Sequence, residues 1–323
     1  MAKNFTICVG TVGTGLWQSP DGGETWRMVH RGLWFESRGF SLAVQPRDPR
    51  IIYAGTDDGI YCSEDRGASF ERLGSPMNGL PVWKVALDPV DPNILFAGTR
   101  PAALFRSRDG GQRWQKLEVE MATECPDVRI PRVTSLVVDP SDHNIIWAGV
   151  EVDGVRRSLD GGETWTRIPE GISIPDIHDI AVSPVAPKTV IVNTNREIFV
   201  STDNGESWHG LGVGKRFSFP YCRGLALRAD NPRVLFVATG DEAIGSTGGI
   251  QRSQDRGQSW ELLPLPVEPN TPIWAFATNA ADPNRIVACS HYGQLFVSND
   301  GGDSWEKLRR EFAEVRAVAW TPN

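Results

Sequence analysis

The chain of 323 residues lacks the features that mark metal-binding, nucleic-acid-binding and membrane-spanning proteins. Its five cysteines are odd in number and form no Cys-x-x-Cys pair, so neither a zinc cage nor a disulfide framework is indicated. Lys and Arg form no long block and the net charge is −7, which argues against a nucleic-acid partner. No apolar run is long enough to span a bilayer. The five histidines have no paired spacing, and we expect no metal and no cofactor.

The N-terminus also lacks a long apolar core and a small-residue cleavage site, and its first ten residues predict a β-strand. We therefore expect a soluble cytoplasmic protein. Methionine is scarce (4), whereas glycine (33), proline (23) and tryptophan (12) are plentiful. This mixture is typical of many short strands joined by tight turns, with aromatic rings filling the gaps between sheets.

One eight-residue pattern, Ser-x-Asp-x-Gly-x-(Thr, Ser or Arg)-(Trp or Phe), recurs seven times. The copies are Ser19–Trp26, Ser63–Phe70, Ser107–Trp114, Ser158–Trp165, Ser201–Trp208, Ser253–Trp260 and Ser298–Trp305. Their serines lie 44, 44, 51, 43, 52 and 45 residues apart. A period of this length, with room for four short strands, predicts the blades of a β-propeller.

The residues of this box suit a hairpin turn. Asp21 can accept backbone N–H groups across the turn, Gly23 supplies a positive φ, and Trp26 can wedge its ring between neighbouring sheets. The alternative is that the aspartates are catalytic or bind calcium, but an active site needs one copy and the chain has seven. We interpret as structural the aspartates Asp21, Asp65, Asp109, Asp160, Asp203, Asp255 and Asp300.

A second element, an apolar strand ending in a Pro/Asp turn, precedes every box except the first. Leu42–Pro49 and Val85–Pro92 are examples, and the missing copy is Val318–Pro322 at the C-terminus. The C-terminal strand should therefore complete the N-terminal blade and close the ring, which removes both free sheet edges. We predict an all-β fold, a single seven-bladed propeller with four-stranded blades over residues 1–323.

The boxes and inner strands resemble those of the Asp-box (BNR-repeat) propeller superfamily over nearly the whole chain. That superfamily includes sialidases, xyloglucanase-type glycoside hydrolases, sortilin-type receptors and photosystem II assembly factors. The resemblance implies the fold, but this scaffold carries enzymes, receptors and assembly factors alike. Sialidases are six-bladed with an Arg-Ile-Pro element at the first blade. Here Arg129–Pro131 precedes blade four and Arg167–Pro169 follows a box, so sialidase activity is not expected.

Two loops are longer than their counterparts, around Glu118–Ile130 and Asp241–Gly248. Both fall on the face opposite the boxes, where the blade-to-blade loops and the loops between second and third strands lie, and they flank blade five. Insertions on one face of a repeat protein usually mark its binding side. We therefore expect the functional site on this face.

Alignment of the inner strands places two residues of each blade at the mouth of the central channel on this face. Two positions before the aligned apolar residue are Phe40, Trp83, Thr134, His178, Arg223, Trp274 and Arg316, and four before are Arg38, Pro81, Arg132, Asp176, Tyr221, Pro272 and Glu314. Arginine and aromatic side chains suit an anionic or sugar-like ligand through bidentate hydrogen bonds and ring stacking. The alternative is a solvated rim whose arginines pair with neighbouring carboxylates. The predicted ligand contacts are Arg38, Arg132, Arg223, Arg316, Trp83, Trp274, His291 and Tyr292.

His178 lies between two aspartates, an arrangement that can orient an imidazole as a general acid or base. A hydrogen-bonded structural histidine is the alternative. If the protein is an enzyme, we expect a glycosidase-like hydrolase or a lyase acting on a sugar acid or small carboxylate. The acid–base candidates are then His178, Asp176, Tyr221 and Glu314. Cys222 should point away from the mouth by strand alternation. The second hypothesis is a non-catalytic interaction scaffold, in which the same face meets an acidic protein segment.

Overall fold

The computed structural model describes residues 4–126 and 128–323, and over these residues the chain forms seven four-stranded antiparallel sheets. The N-terminal part of the chain supplies three of the four strands of blade 1: β1 (Phe5–Thr11), β2 (Leu16–Ser19) and β3 (Arg27–Val29). Blade 2 consists of β4 (Gly39–Val44), β5 (Ile52–Thr56), β6 (Gly59–Ser63) and β7 (Glu71–Arg72). Blade 3 consists of β8 (Val82–Leu87), β9 (Leu95–Thr99), β10 (Leu104–Ser107) and β11 (Gln115–Lys116).

The remaining blades follow the same order from the inside outwards. Blade 4 consists of β12 (Val133–Val138), β13 (Ile146–Val150), β14 (Gly154–Ser158) and β15 (Thr166–Arg167). Blade 5 consists of β16 (Ile177–Ser183), β17 (Thr189–Thr194), β18 (Ile198–Ser201) and β19 (His209–Gly210), followed by a 3₁₀ turn at Val213–Lys215. Blade 6 consists of β20 (Tyr221–Leu227), β21 (Leu235–Gly240), β22 (Gly248–Ser253) and β23 (Glu261–Leu262), and blade 7 of β24 (Ile273–Thr278), β25 (Ile286–Ser290), β26 (Leu295–Ser298) and β27 (Glu306–Lys307).

The last strand, β28 (Val315–Pro322), confirms the predicted closure of the ring. It pairs antiparallel with β1, from Phe5 opposite Pro322 to Thr11 opposite Val315, and so supplies the inner strand of blade 1. Residues from the two ends of the chain thus share one sheet, and neither end leaves a long unpaired strand edge. The predicted seven-bladed, all-β fold is confirmed.

The hydrophobic core is divided into seven clusters, each lying between two neighbouring blades. Trp147, for example, is fully buried and packs in the cluster between blades 4 and 5, while Phe236 does the same between blades 6 and 7. Because each blade contacts mainly its two neighbours, every blade contributes two apolar faces, and its second strand is buried on both sides, whereas its outer strand is exposed. This explains why the second strands read as nearly continuous apolar runs such as Ile52–Thr56.

The boxes form the turns between third and outer strands, and the copy in blade 5 shows how. Ser201 Oγ donates to Asp203 Oδ1 at 2.7 Å, and the backbone N–H of Gly205 donates to Ser201 Oγ at 2.7 Å. The backbone N–H and hydroxyl of Ser207 donate to the two oxygens of Asp203 at 3.0 and 2.5 Å. The indole of Trp208 donates to the carbonyl of Gly205 at 3.1 Å. These bonds lock the turn, as the sequence predicts.

The box glycine has two separate physical reasons to be glycine. Gly205 has a φ of +86°, a region that other residues resist, and a Cβ there would lie 2.6 Å from the ring of Trp147 in the preceding blade. Hence the box sets the turn and also fixes how closely adjacent blades approach each other.

Candidate functional site

A ring of side chains surrounds the mouth of the central channel on the face opposite the boxes. It consists of Phe40, Trp83, Thr134, His178, Arg223, Trp274 and Arg316, and all seven line one cavity of about 150 Å³. We call these residues the mouth ring and this space the mouth cavity. The sequence alignment therefore places one residue of each blade correctly at the mouth.

A β-bulge in every inner strand explains why these seven side chains point into the channel. In each inner strand the pairing register with the second strand skips the mouth-ring residue: in blade 5, Ile177 pairs with Thr194 and Asp179 with Asn193, leaving His178 unpaired. The same shift occurs in the other six blades. A bulge leaves one residue outside the ladder and re-aims its side chain. Seven bulges in register thus place one side chain of each blade at the channel mouth inside an otherwise regular fold.

On the blade-3 and blade-4 side of the mouth, aromatic rings and an arginine form a stack. The rings of Phe40 and Trp83 are nearly parallel, with centroids 4.1 Å apart, and the guanidinium of Arg132 lies 3.9 Å from the centroid of Trp83. Arg132 also donates to Glu151 Oε1 at 2.5 Å, and both side chains are largely buried. Burial lowers the pKa of Arg132 to about 10, against the opposing effect of Glu151.

The opposite side of the mouth is built around Trp274. The guanidinium groups of Arg223 and Arg316 lie 4.2 and 4.6 Å from its ring centroid, and the ring of His291 stacks on it at 4.3 Å. Tyr292 stacks in turn on His291 at 4.9 Å and is partly exposed. Both tryptophans are therefore engaged by protein groups over their rings, and both line the mouth cavity together with Arg223 and Arg316, whereas Arg132 does not line it.

The three arginines differ in their partners. Arg132 is paired with Glu151, and Arg316 donates to Glu314 through two nitrogen atoms. The guanidinium of Arg223 has no hydrogen bond and no ion pair among the residues that the structure describes, although it lines the cavity. None of its five N–H donors has an acceptor among the residues that the structure describes.

His178 is a buried brace between blades 5 and 6. Its Nδ1 lies 2.6 Å from the carbonyl oxygen of Cys222, which can only accept, so this nitrogen carries the proton. Its Nε2 lies 3.4 Å from Asp176 Oδ2, and its ring meets that of Tyr221 edge-on at 5.3 Å. Burial, and then the charge of Arg223, lowers the pKa of His178. The ring is therefore held through Nδ1, and in its neutral form Nε2 has no proton to donate to Asp176.

The other acid–base candidates lie close by. Burial alone would raise the pKa of Asp176, but the contact with His178 and the charges of Arg223 and Arg132 lower it below its usual value. Burial raises the pKa of Tyr221. Glu314 holds Arg316 and lies 3.4 Å from Nε2 of His291, whose pKa burial and the charge of Arg316 lower to about 4. The structure thus groups all four candidates at the mouth.

Two predicted or considered contributors lie elsewhere. Arg38 is exposed, does not line the mouth cavity, and is fixed through its backbone, whose N–H donates to Asp57 Oδ1 at 2.9 Å and whose carbonyl accepts from the N–H of Asp57 at 3.1 Å. Cys222 is fully buried, and burial raises its pKa to about 12, so its thiol is no nucleophile at neutral pH. Within residues 4–126 and 128–323, no group of three His, Cys, Asp or Glu side chains is arranged to hold a metal ion. None of the described helices could cross a membrane.

Sequence reasoning missed two charged residues of the site. Glu151, in the turn between β13 and β14, holds Arg132, and Lys84 lines the floor of the mouth cavity. The first comes from a loop distant in sequence from the inner strand, and nothing in the sequence marks it. Lys84 immediately follows the aligned position Trp83, and the bulge allows both consecutive side chains to reach the channel.

The fold and its seven boxes define the class: the chain is an Asp-box seven-bladed β-propeller. The family profile described as BNR/Asp-box repeat matches residues 199–209, the box of blade 5. The xyloglucanase Xgh74A of Acetivibrio thermocellus is 26% identical over 251 residues, which are 64% of this chain and 28% of that enzyme. The xyloglucanase of Hypocrea jecorina is 24% identical, over 88% of this chain and 35% of its own length. The chain thus spans about a third or less of these two curated relatives.

Solved structures confirm the fold. The GH74 enzyme of Niastella koreensis superposes with a TM-score of 0.67 at 19% identity, covering 94% of this chain and 46% of the enzyme. The structure described as YCF48 bound to D1 peptide superposes with a TM-score of 0.58 at 17% identity, covering 83% of this chain and 80% of its own. One similar protein is therefore an enzyme of about twice this length, and the other is a peptide-bound propeller of similar length.

Proposed function

We propose that the protein binds a carboxylate-bearing ligand at the mouth of its central channel and does so without chemistry on that ligand. The single observation that carries the proposal is Arg223. It lines the mouth cavity with no acceptor for its guanidinium among the described residues, while Trp274 supports it from the side. A planar guanidinium with free donors is suited to bidentate binding of a carboxylate.

The neighbouring ion pairs favour binding by preorganisation. Arg132 and Arg316 are each held by a glutamate, and the charges of both oppose the rise that burial causes in the pKa of Tyr221, so their positive charge is felt across the mouth. Because these side chains are already fixed in place, a ligand would not have to order them when it binds. Arg132, Arg223 and Arg316 thus retain the ligand-binding role that the sequence predicts for them.

The acid–base candidates support binding more than hydrolysis. Glycoside hydrolysis requires one carboxylic acid that stays protonated until it donates to the leaving group, and therefore a raised pKa. The pKa of Asp176 is lowered instead, and Glu314 is engaged by Arg316. His178 has its proton on Nδ1, bonded to the backbone, and Nε2 covered by Asp176. In this arrangement Glu314 holds Arg316, and His178 ties the inner strand of blade 5 to that of blade 6.

A second candidate is an interaction scaffold, and the exposed apolar side chains of the same face favour it. Trp34 is 63% exposed and its ring pairs with that of Phe35, while Ile244, at the tip of one predicted insertion, is 75% exposed. Tyr292 is 45% exposed beside the mouth. Exposed aromatic residues around arginines are typical of protein interfaces. The peptide-bound YCF48 neighbour supports the same possibility of a peptide partner.

A thermal-shift screen tests the proposed function directly. Small carboxylates, sugar acids, neutral oligosaccharides and xyloglucan fragments would each be added to the wild type, to Arg223→Gln and to Arg38→Gln. A ligand at a hundred times its dissociation constant adds about 2.7 kcal/mol of stability, which is readily measured. We expect carboxylates to stabilise the wild type and Arg38→Gln, and not Arg223→Gln. Stabilisation by neutral sugars alone, or hydrolysis of xyloglucan, would contradict the proposal.

A further inference from the structure

The floor of the mouth cavity carries a cation that the proposed function does not use. One position beyond the mouth ring along each inner strand, Lys84 and Asp179 are the charged residues among the seven that occupy this layer of the described structure. Lys84 comes from blade 3 and Asp179 from blade 5, so the two side chains meet across the channel beneath the ring. Lys84 Nζ lies 3.7 Å from Asp179 Oδ1.

Asp179 does not depend on Lys84 for its hydrogen bonds. Its Oδ1 accepts from Ser135 Oγ at 2.8 Å and from the backbone N–H of Ile180 at 3.0 Å, and its Oδ2 accepts from the N–H of Leu225 at 3.0 Å. These bonds tie blades 4, 5 and 6 together. A carboxylate with three donors of its own is a fixed negative charge, and it positions Lys84 electrostatically without consuming its protons.

Lys84 and Arg223 therefore both have side-chain N–H groups that make no hydrogen bond within the described structure. Lys84 forms a long ion pair with Asp179, but neither its ammonium nor the guanidinium of Arg223 donates a hydrogen bond to residues 4–126 and 128–323. Both line the same cavity of about 150 Å³, one at its floor and one at its wall. The other arginines at the mouth, Arg132 and Arg316, have carboxylate partners. Two donor-rich cations without acceptors thus face one small space.

We propose that Lys84 and Arg223 together form the deep end of the site and bind the terminal carboxylate of a narrow, unbranched chain. This rests on the proposed function and narrows its ligand class. Pockets for whole small molecules typically measure about 300–1,000 Å³, so the mouth cavity, at about 150 Å³, admits a carboxylate and its first carbons but not a sugar ring. The remainder of the ligand extends outwards past Arg316 and Trp274. Short-chain acids and the C-terminus of a peptide both satisfy this chemistry.

Calorimetric titration with four probes tests the assignment: propionate, glucuronate, the peptide acetyl-Gly-Gly-Gly with a free carboxylate, and the same peptide amidated. We expect propionate and the free peptide to bind the wild type, and glucuronate and the amidated peptide to bind at least about tenfold more weakly. Tighter binding of the free peptide than of propionate identifies a peptide as the source of the carboxylate, and the reverse order identifies a small acid.

The variants separate the two proposals. Lys84→Gln and Arg223→Gln should each weaken propionate binding by about tenfold or more, since each removes one charge-assisted contact. Lys188→Gln is the matched control, because Lys188 pairs with Asp139 at 2.9 Å on the box face, and it should leave the affinity unchanged. Wild-type affinity in Lys84→Gln with a loss in Arg223→Gln would overturn the Lys84 assignment and leave the proposed function standing. No binding of any carboxylate to the wild type would overturn both.

A second measurement does not depend on the folding of Lys84→Gln. The lysines of the wild type are dimethylated with ¹³C-formaldehyde, and the Lys84 signal is assigned by its absence in Lys84→Arg. Propionate should shift this signal along a saturable curve while the Lys188 signal stays in place. An unmoved Lys84 signal at saturating propionate would overturn the assignment.

Discussion

The two faces of this propeller are built from the same seven repeats and differ in how much the repeats agree. On the box face, the serine–aspartate contact recurs in all seven blades at 2.7–2.9 Å. On the opposite face, the bulge recurs in all seven blades, but the side chain that it presents is different in most of them. All seven blades therefore share the bulge, while the side chain at the bulge varies. Repetition on the box face reflects what the fold needs, and variation at the repeated mouth position is what the proposed ligand site requires.

The repeated aspartates of the boxes and the residues of the mouth differ in their hydrogen bonding, although the blade-5 box also leaves Asn204 Oδ1 without a partner. In the blade-5 box, both oxygens of Asp203 are occupied by donors from Ser201 and Ser207. At the mouth, buried polar atoms without a protein partner include Trp83 Nε1, Asp176 Oδ1 and both ring nitrogens of His291. Buried polar atoms usually find partners within the protein, and their exceptions call for an explanation. We expect substitutions on the box face to change stability and substitutions at the mouth to change binding.

The largest effect should come from a box glycine. Gly205→Ala requires an alanine at a φ of +86° and places its Cβ 2.6 Å from Trp147, so the free energy of unfolding should fall by about 3 kcal/mol. Gly212→Ala is the matched control, because Gly212 has a φ of +70° and open space around its Cβ. It should lose only about 1 kcal/mol. Urea denaturation measures both, and equal losses would show that the approach to the neighbouring blade is not what the glycine serves.

The next effect distinguishes two arginines within the mouth. Arg132→Gln leaves Glu151 largely buried without its cation, so the free energy of unfolding should fall by about 2 kcal/mol. Arg223→Gln removes no ion pair and should change it by less than about 0.5 kcal/mol. The measurement is again urea denaturation. A loss at Arg223 as large as that at Arg132 would mean that Arg223 has a structural partner and is not reserved for a ligand.

A smaller loss of folding stability for each box aspartate should appear at acidic pH. Hydrogen bonds from Arg113 and Thr164 lower the pKa values of the box residues Asp109 and Asp160 to about 2. Since the unfolded chain takes up these protons at a higher pH than the folded one, their contribution to stability is complete above about pH 4. It is lost as the pH falls towards 2. Denaturation midpoints measured from pH 5 to pH 2.5 should decline, and Asp160→Asn should flatten that decline slightly.

The smallest effect concerns the pH dependence of binding. Burial and the charge of Arg316 lower the pKa of His291 to about 4, and burial with the charge of Arg223 lowers that of His178. His291 is therefore neutral from pH 6 to pH 8, the pKa of His178 is shifted in the same direction, and the affinity for propionate should be constant across this range. Calorimetry at three pH values checks it. A several-fold gain in affinity towards pH 6 would show that one of the histidines becomes charged and takes part in binding.

The sequence predicts the fold, its closure by Val318–Pro322 and the roles of the box residues, because each of these follows from a pattern repeated seven times. It also identifies the seven mouth-ring positions by alignment alone. It cannot predict that Arg132 and Arg316 are paired and Arg223 is not, since the partner Glu151 belongs to a different loop. The sequence does not predict the position of Lys84 either. Strict strand alternation would turn its side chain away from the channel, and only the bulge brings it in.

The most direct test of the central claim is the nuclear magnetic resonance signal of the arginine side chains. In protein labelled with ¹⁵N at arginine, the Nε–H signals of Arg223 and Arg38 would be followed as propionate is added, each assigned by substitution with lysine. The account predicts a saturable shift of the Arg223 signal and none for Arg38, which lies on the same face outside the cavity. An Arg223 signal that does not shift, or equal shifts of the Arg223 and Arg38 signals, would contradict a carboxylate site at the mouth.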